Sequence, residues 1–192
     1  MRSYDEVMKG VKETTKFPKA IEGSKGLLSR PEAEWLNRIP KVLGPGVYAE
    51  LGTFRGRSAC LLADAMVDSR LITVDTFMQK GVRHKYRSHN VYDEVMALFK
   101  SRGFDWIDVV VSTSLEAAVD TPDESLLFLF IDADHSYESV KGDFNAWESK
   151  LTREGIIAFH DSHLETVSRF LHELVDWEEF DRVDTLSAWS RK

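Results

Sequence analysis

The chain carries one cysteine, Cys60, among 192 residues. No internal disulfide can form, and the thiol sits on an apolar helix face, so a packing role in a reducing compartment is expected. No apolar run reaches the roughly 18 residues that a membrane-spanning helix needs, and the opening MRSYDEVMKG lacks the apolar core of a secretion signal. A soluble, cytoplasmic protein with no membrane partner is the expectation. Excess basic charge is also missing. The net charge is −7, which disfavours nonspecific nucleic-acid binding. Repeats and low-complexity tracts are absent too. What remains is a chain of single-domain length, 43% hydrophobic, enough for a sizeable core.

Two familiar glycine motifs are incomplete as well. The stretch VYAELGTFRGRS, Val47 to Ser58, reads as a buried strand, a glycine turn and a helix start. A phosphate-binding P-loop needs one more residue between its glycines and a lysine where Arg57 stands. A dinucleotide fingerprint needs a second glycine where Phe54 stands, which argues against a NAD-dependent oxidoreductase. The pattern present is E-x-G-x-x-x-G, from Glu50 through Gly52 to Gly56. Glycine lets a ligand approach the backbone closely, and the helix beyond turns its free N–H groups toward the turn. By itself the turn is equally consistent with a plain strand-to-helix connection.

Residues 1–40 read as an N-terminal helical extension and 41–192 as the main domain. Tyr4, Val7 and Val11 recur at helical spacing. Ser29 opens a capping box with Glu32, and the helix behind it, presenting Trp35, Leu36 and Ile39, is expected to stop before Pro40. Short apolar strands follow at Leu71 to Val74, Ile107 to Val111, Leu126 to Ile131 and Gly155 to Phe159, alternating with helical patterns. Phe180 to Ser190 reads as a hairpin turning near Thr185 or Leu186. The alternation predicts an α/β, doubly wound, Rossmann-like sheet that is mostly parallel. Right-handed crossovers then place every strand's C-terminal end on one edge. Glu50, Gly52, Asp75, Ser114, Asp132, Asp134, His160 and Asp161 all lie there, where open α/β sheets bind ligands.

Each of these polar residues has a plainer reading. Asp75 caps a loop or holds a ribose diol. Asp132 and Asp134 cap the next helix or serve a cation or catalysis. His160 and Asp161 are turn residues or part of the same cation site, and Ser114 is a helix N-cap that lies near a bound base. Thr76 to Asn90 has no periodicity and gathers Lys80, Arg83, Lys85 and Arg87. Loops of this length are usually functional or disordered, and a closing lid is the expectation here.

Together ELGTFRGRS, the strand end Val74-Asp75, IDADHSYESVKGDFNAW and GIIAFHDS resemble the class I S-adenosylmethionine (SAM)-dependent methyltransferases. Within them the chain is similar to the small single-domain enzymes related to the catechol and macrocin-type O-methyltransferases. The resemblance implies strand order 3-2-1-4-5-7-6 with the last strand antiparallel. It implies SAM as cofactor over Glu50, Gly52, Thr53, Gly56, Ser58, Asp75, Thr76, Ser114 and Asp132. It further implies a divalent cation at Asp132, His160 and Asp161, and a base at Asp134 or His135. Relatives that depend firmly on metal usually show two acidic residues where this chain has His160-Asp161. The acceptor implied is a small molecule or sugar, anionic if the basic loop meets it, and a homo-oligomer is compatible. A nucleoside-binding protein of the same fold without chemistry is the alternative.

Overall fold

A computed structural model describes residues 27–78 and 89–192. The Tyr4, Val7 and Val11 stripe, and the Lys80, Arg83, Lys85 and Arg87 cluster of the expected lid, lie outside the described residues. The elements are α1 (Arg30–Leu43), β1 (Val47–Leu51), α2 (Arg57–Ala65), β2 (Arg70–Asp75), α3 (His89–Arg102), β3 (Asp108–Val111) and α4 (Ser114–Val119). Then come β4 (Leu126–Ile131), α5 (Tyr137–Trp147), β5 (Leu151–Phe159), α6 (Glu165–Leu171), β6 (Trp177–Val183) and β7 (Leu186–Arg191).

The seven strands form one sheet in the order β3-β2-β1-β4-β5-β7-β6. Strands β1 to β5 are parallel neighbours, and β7 runs antiparallel between β5 and β6. The order, and the antiparallel final strand, are those the resemblance implied. Alternation along the strands divides the core. Tyr48, Phe128, Phe130, Ile156 and Ala158 face α1, α2 and α3, whereas Ala49, Leu51, Leu129, Ile131, Ile157 and Phe159 face α4, α5 and α6. The strands at the centre are apolar throughout because both faces are covered.

Helix α1 begins as expected. The Ser29 hydroxyl accepts from the Glu32 N–H, and the Ser29 N–H donates to the Glu32 carboxylate at 2.8 Å. It does not stop before Pro40, which is buried within the helix. Only one turn follows that residue, so the single backbone bond that proline forfeits is offset by burying it beside Ile39, and Gly44 closes the turn onto the Pro40 carbonyl. Among the described residues no helix is long and apolar enough to cross a membrane.

The registers fix the functional edge. Leu51 pairs with both Val74 and Ile131, and Ile131 pairs with Phe159. Gly52, Asp75, Asp132 and His160 therefore each follow one residue of this row, side by side.

Candidate active site

A cleft runs along this edge, and its lining includes Gly52, Thr53, Ser58, Asp75, Thr76, Ser114, Asp132, Asp134, His135, His160 and Asp161. Of the residues read from sequence, Glu50 and Gly56 lie behind this wall rather than in it.

Glu50 is fully buried at the end of β1. One carboxyl oxygen accepts from the Thr73 hydroxyl at 2.5 Å, and Thr73 in turn meets Thr53 at 2.6 Å. The other, Oε1, has no hydrogen-bond partner. Burial pushes this carboxyl up to about 8, against the opposing effect of the Ser58 and Thr73 hydroxyls. The charges of Asp132 and Asp75 push the same way as burial.

The glycines have reasons that the sequence did not disclose. Gly52 has φ +99°, and a Cβ there would lie 2.1 Å from the Asp132 carbonyl oxygen. The close approach is thus to the neighbouring strand's own backbone, not only to a ligand. Gly56 has φ +74°, and a Cβ would press on the Phe99 ring at 2.8 Å. The intervening Phe54 also adopts positive φ, and its N–H donates to Asp75 Oδ2 at 2.7 Å. Phe77 N–H donates to Oδ1 at 2.6 Å. The Asp75 carboxylate thus bridges the glycine turn and the start of the following loop, with further lone pairs for a diol.

At the other end of the cleft lies a cluster of imidazoles and carboxylates. His160 Nδ1 is 3.1 Å from Asp132 Oδ1 and 3.4 Å from Asp161 Oδ2. His135 Nε2 is 2.9 Å from Asp161 Oδ2 and 3.6 Å from Asp132 Oδ1. One donor atom from each of these four residues lies within 4.8 Å of all the others. The sequence reading omitted His135 from this cation set.

It read Glu32 only as the capping partner of Ser29. This α1 residue is 1% exposed and lies 3.4 Å from His160 Nε2. Its other oxygen accepts from the Thr185 N–H at 2.9 Å and the Thr185 hydroxyl at 2.6 Å. Desolvation opposes its charge, yet the bonds from His160, Thr185 and Ser29 bring it down to about 2. Burial also opposes charge on His160, but Asp132 and Glu32 outweigh it and lift the imidazole to about 10. His135 is likewise raised, chiefly by the Asp132 carboxylate beside it.

Asp134 stands apart from the cluster. It accepts from the Ser136 N–H at 2.7 Å, turning the chain into α5, and that bond holds its carboxyl below the usual range. Ser114 is not the cap of α4; Thr113 is, through a reciprocal capping box with Glu116. The Ser114 hydroxyl bonds instead to Asp143, which the sequence reading also missed.

Residues 49–162 match a family model described as a methyltransferase domain. The protein y4gI of Sinorhizobium fredii is 30% identical over 145 residues, 70% of this chain but 16% of that protein. The protein R132 of Acanthamoeba polyphaga mimivirus is 27% identical over 118 residues, 59% of this chain and 50% of the relative. The chain thus spans half or less of the curated relatives it matches. Among solved structures, the methyltransferase PaMTH1 of Podospora anserina, bound to SAH, superposes with TM-score 0.73 and 15% identity over 99% of this chain and 95% of that one. The O-methyltransferase TomG of Streptomyces achromogenes, in complex with SAM, gives 0.72 and 15% over the whole of both chains. At such identities these structures share the fold.

Proposed function

The chain belongs to the methyltransferase domain family, and from that premise we propose that it is a SAM-dependent enzyme that methylates a hydroxyl oxygen of a small molecule. Family membership supports a methyltransferase over an oxidoreductase. The observation that carries the reading is the pairing, on one strand edge, of a buried Glu50 with an unpartnered oxygen and an Asp75 carboxylate poised beyond the glycine turn. An orphaned buried acceptor calls for a donor, and a cofactor ammonium supplies one. The acidic lining of Asp75, Asp132, Asp134, Glu138 and Asp161 suits a cofactor with a net positive charge. TomG's own name supports oxygen as the acceptor atom.

In this reading Glu50 serves the amino-acid end, Gly52, Thr53 and Ser58 shape the turn around it, and Asp75 and Thr76 serve the ribose. Bound there, the cofactor supplies an electrophilic methyl group on a cationic sulfur. The protein's part is to position the acceptor and remove its proton. Of the two base candidates, His135 is favoured. Asp134 is committed to its turn and held acidic. His135 stays partly exposed to the cleft, and the Asp132 and Asp161 carboxylates stabilise its imidazolium once it takes the proton.

A second reading rests on the four-residue cluster. Two imidazoles and two carboxylates suit a transition ion better than magnesium, which prefers oxygen ligands. His160 Nδ1 would ligate, with Nε2–H turned to Glu32, the carboxylate-histidine arrangement that commonly supports metal ligands. Such an ion would lower the acceptor's pKa. The cluster of Lys80, Arg83, Lys85 and Arg87 in the sequence supports an anionic acceptor, and a homo-oligomer stays within this proposal.

The test is methyl transfer from labelled SAM to a panel of phenols, sugars and hydroxy acids. Product carrying the label on oxygen is expected. His135→Asn should lower kcat by about 10²–10⁴-fold without comparable loss of SAM affinity. Transfer to nitrogen or carbon acceptors alone would refute the oxygen assignment, and an unchanged kcat would refute the base.

A further inference from the structure

Thr166 lies in the first turn of α6, exposed and outside the cleft wall. Its hydroxyl nevertheless donates to the His135 carbonyl at 2.6 Å, across 31 residues of chain. That carbonyl stands one residue before Ser136, the cap of α5. The helix's own bond ladder begins after it, with the Val140 N–H on the Ser136 carbonyl. A donor from α6 thus supplies what α5 does not.

The same helix start holds a second member of the imidazole-carboxylate cluster. Leu164, the residue before α6, donates its N–H to the Asp161 carbonyl at 2.9 Å. Asp161 itself has φ +51°, a conformation that costs a non-glycine residue energy and persists where neighbours enforce it. The backbones of His135 and Asp161 are therefore fastened to one short stretch, residues 164–166.

Side-chain contacts alone do not aim the His135 ring. Its Nε2 lies 2.9 Å from Asp161 Oδ2 but off the line that a hydrogen bond needs, and finds no hydrogen-bond partner. The carboxylates attract an imidazolium without setting its direction. That direction follows from where the backbone points Cβ. A further tie keeps α6 on the first turn of α5. The Tyr137 hydroxyl donates to Glu173 at 2.7 Å, Lys141 Nζ reaches both at 2.9 Å, and the Arg169 guanidinium lies over the Tyr137 ring at 4.3 Å. Exposed ion pairs of this kind add little to stability, so what they fix is register.

We infer that Thr166 is a positioning residue for methyl transfer: its hydroxyl holds the His135 backbone so that the imidazole faces the acceptor hydroxyl with Asp161 beside it. The inference rests on the reading of His135 as the base, and Thr166 acts only through that residue.

Thr166→Val keeps the side chain's shape and removes the donor, and Thr166→Ser restores it. Labelled SAM with the fastest acceptor of the panel above gives kcat. NMR of the carbon-bound imidazole protons reports the ring's surroundings, and decides the question even where no acceptor turns over. Thr166→Val should lower kcat by about 10–100-fold, the cost of misplacing a catalytic group by about 1 Å, with S-adenosylhomocysteine affinity unchanged in calorimetry. Its thermal midpoint should stay within about 2 °C of the unaltered protein, as for most surface substitutions. The His135 ring signal should move, that of His172 at the far end of α6 should not, and Thr166→Ser should restore both kcat and signal. An unmoved His135 signal or an unchanged kcat in Thr166→Val would overturn the assignment. So would a midpoint lowered by more than about 5 °C together with a shifted His172 signal, since Thr166 would then be holding α6 rather than the base. An unchanged kcat in His135→Asn would instead remove the base reading, and this inference with it.

Discussion

Replacing Glu50 by glutamine keeps the shape of a fully buried side chain and removes its ability to ionise. The native carboxyl titrates near 8, whereas the unfolded chain's titrates near 4.5. Between those values the unfolded state gives up its proton and the native state keeps it. The unfolded state therefore binds fewer protons, and stability falls as pH rises from 4.5 to 8 and levels beyond it. The penalty is about 1 kcal/mol at pH 5 and about 4 kcal/mol at pH 8, using about 1.4 kcal/mol per pKa unit. Glutamine escapes it. Its amide costs about 1–3 kcal/mol where Oε1 finds no partner, but that cost does not change with pH. The stability of Glu50→Gln relative to the unaltered protein should thus rise by about 3 kcal/mol between pH 5 and pH 8. Urea unfolding of both proteins at fixed ionic strength measures it. A relative stability that moves by less than about 1 kcal/mol over that interval would mean Glu50 ionises normally, and the account of a neutral buried carboxyl would fail. The same variant should bind SAM more weakly at pH 8 and above, where the unaltered carboxyl ionises and the glutamine amide oxygen offers the ammonium no matching charge.

Gly52→Ala forces a Cβ to 2.1 Å from the Asp132 carbonyl at a φ of +99°, so a loss of more than about 3 kcal/mol or failure to fold is expected. A thermal unfolding midpoint within a few degrees of the unaltered protein would refute the packing argument. Glu32→Ala leaves His160 facing one carboxylate fewer and strips Thr185 of two bonds, for an expected loss of about 3–5 kcal/mol in denaturant unfolding. A loss below about 1 kcal/mol would show that the buried pair contributes little. If the imidazole-carboxylate cluster holds a cation, a chelator should abolish methyl transfer and a transition ion should restore it better than magnesium. Full activity in the chelator leaves the cluster to the base chemistry of His135.

The parts legible in the sequence were those with a local signature. Strand β4 was read to the residue because LLFLFI is apolar throughout and bounded by polar residues. The order of acidic strand ends then placed Asp75, Asp132 and His160 on one edge. What escaped was set by contacts distant in the chain. Glu32 reads locally as the partner of Ser29, and nothing nearby signals a bond to a histidine 128 residues on. Asp143 left a trace, a charged residue flanking the Val140, Phe144 and Trp147 stripe, yet its partner Ser114 lies 29 residues back. Gly52 was recognised as special for a ligand, but its first obligation is to the β4 backbone. Pro40 marks a helix end in most contexts, and here burial beside Ile39 carries the helix past it.

The seating of β7 between β5 and β6 bears on how the protein matures during synthesis. Glu32 leaves the ribosome before Thr185, which supplies two of its hydrogen bonds and follows 153 residues later. At about 5–20 residues per second that interval is on the order of ten seconds or more. Throughout it, Glu32 lacks the Thr185 bonds and β5 is an open sheet edge available to any chaperone in reach. The hairpin that closes this edge also completes the hydrogen bonding of Glu32. Sheet closure and the readiness of His160 are therefore a single late event, and a nascent chain halted before Trp177 carries the catalytic edge without its support.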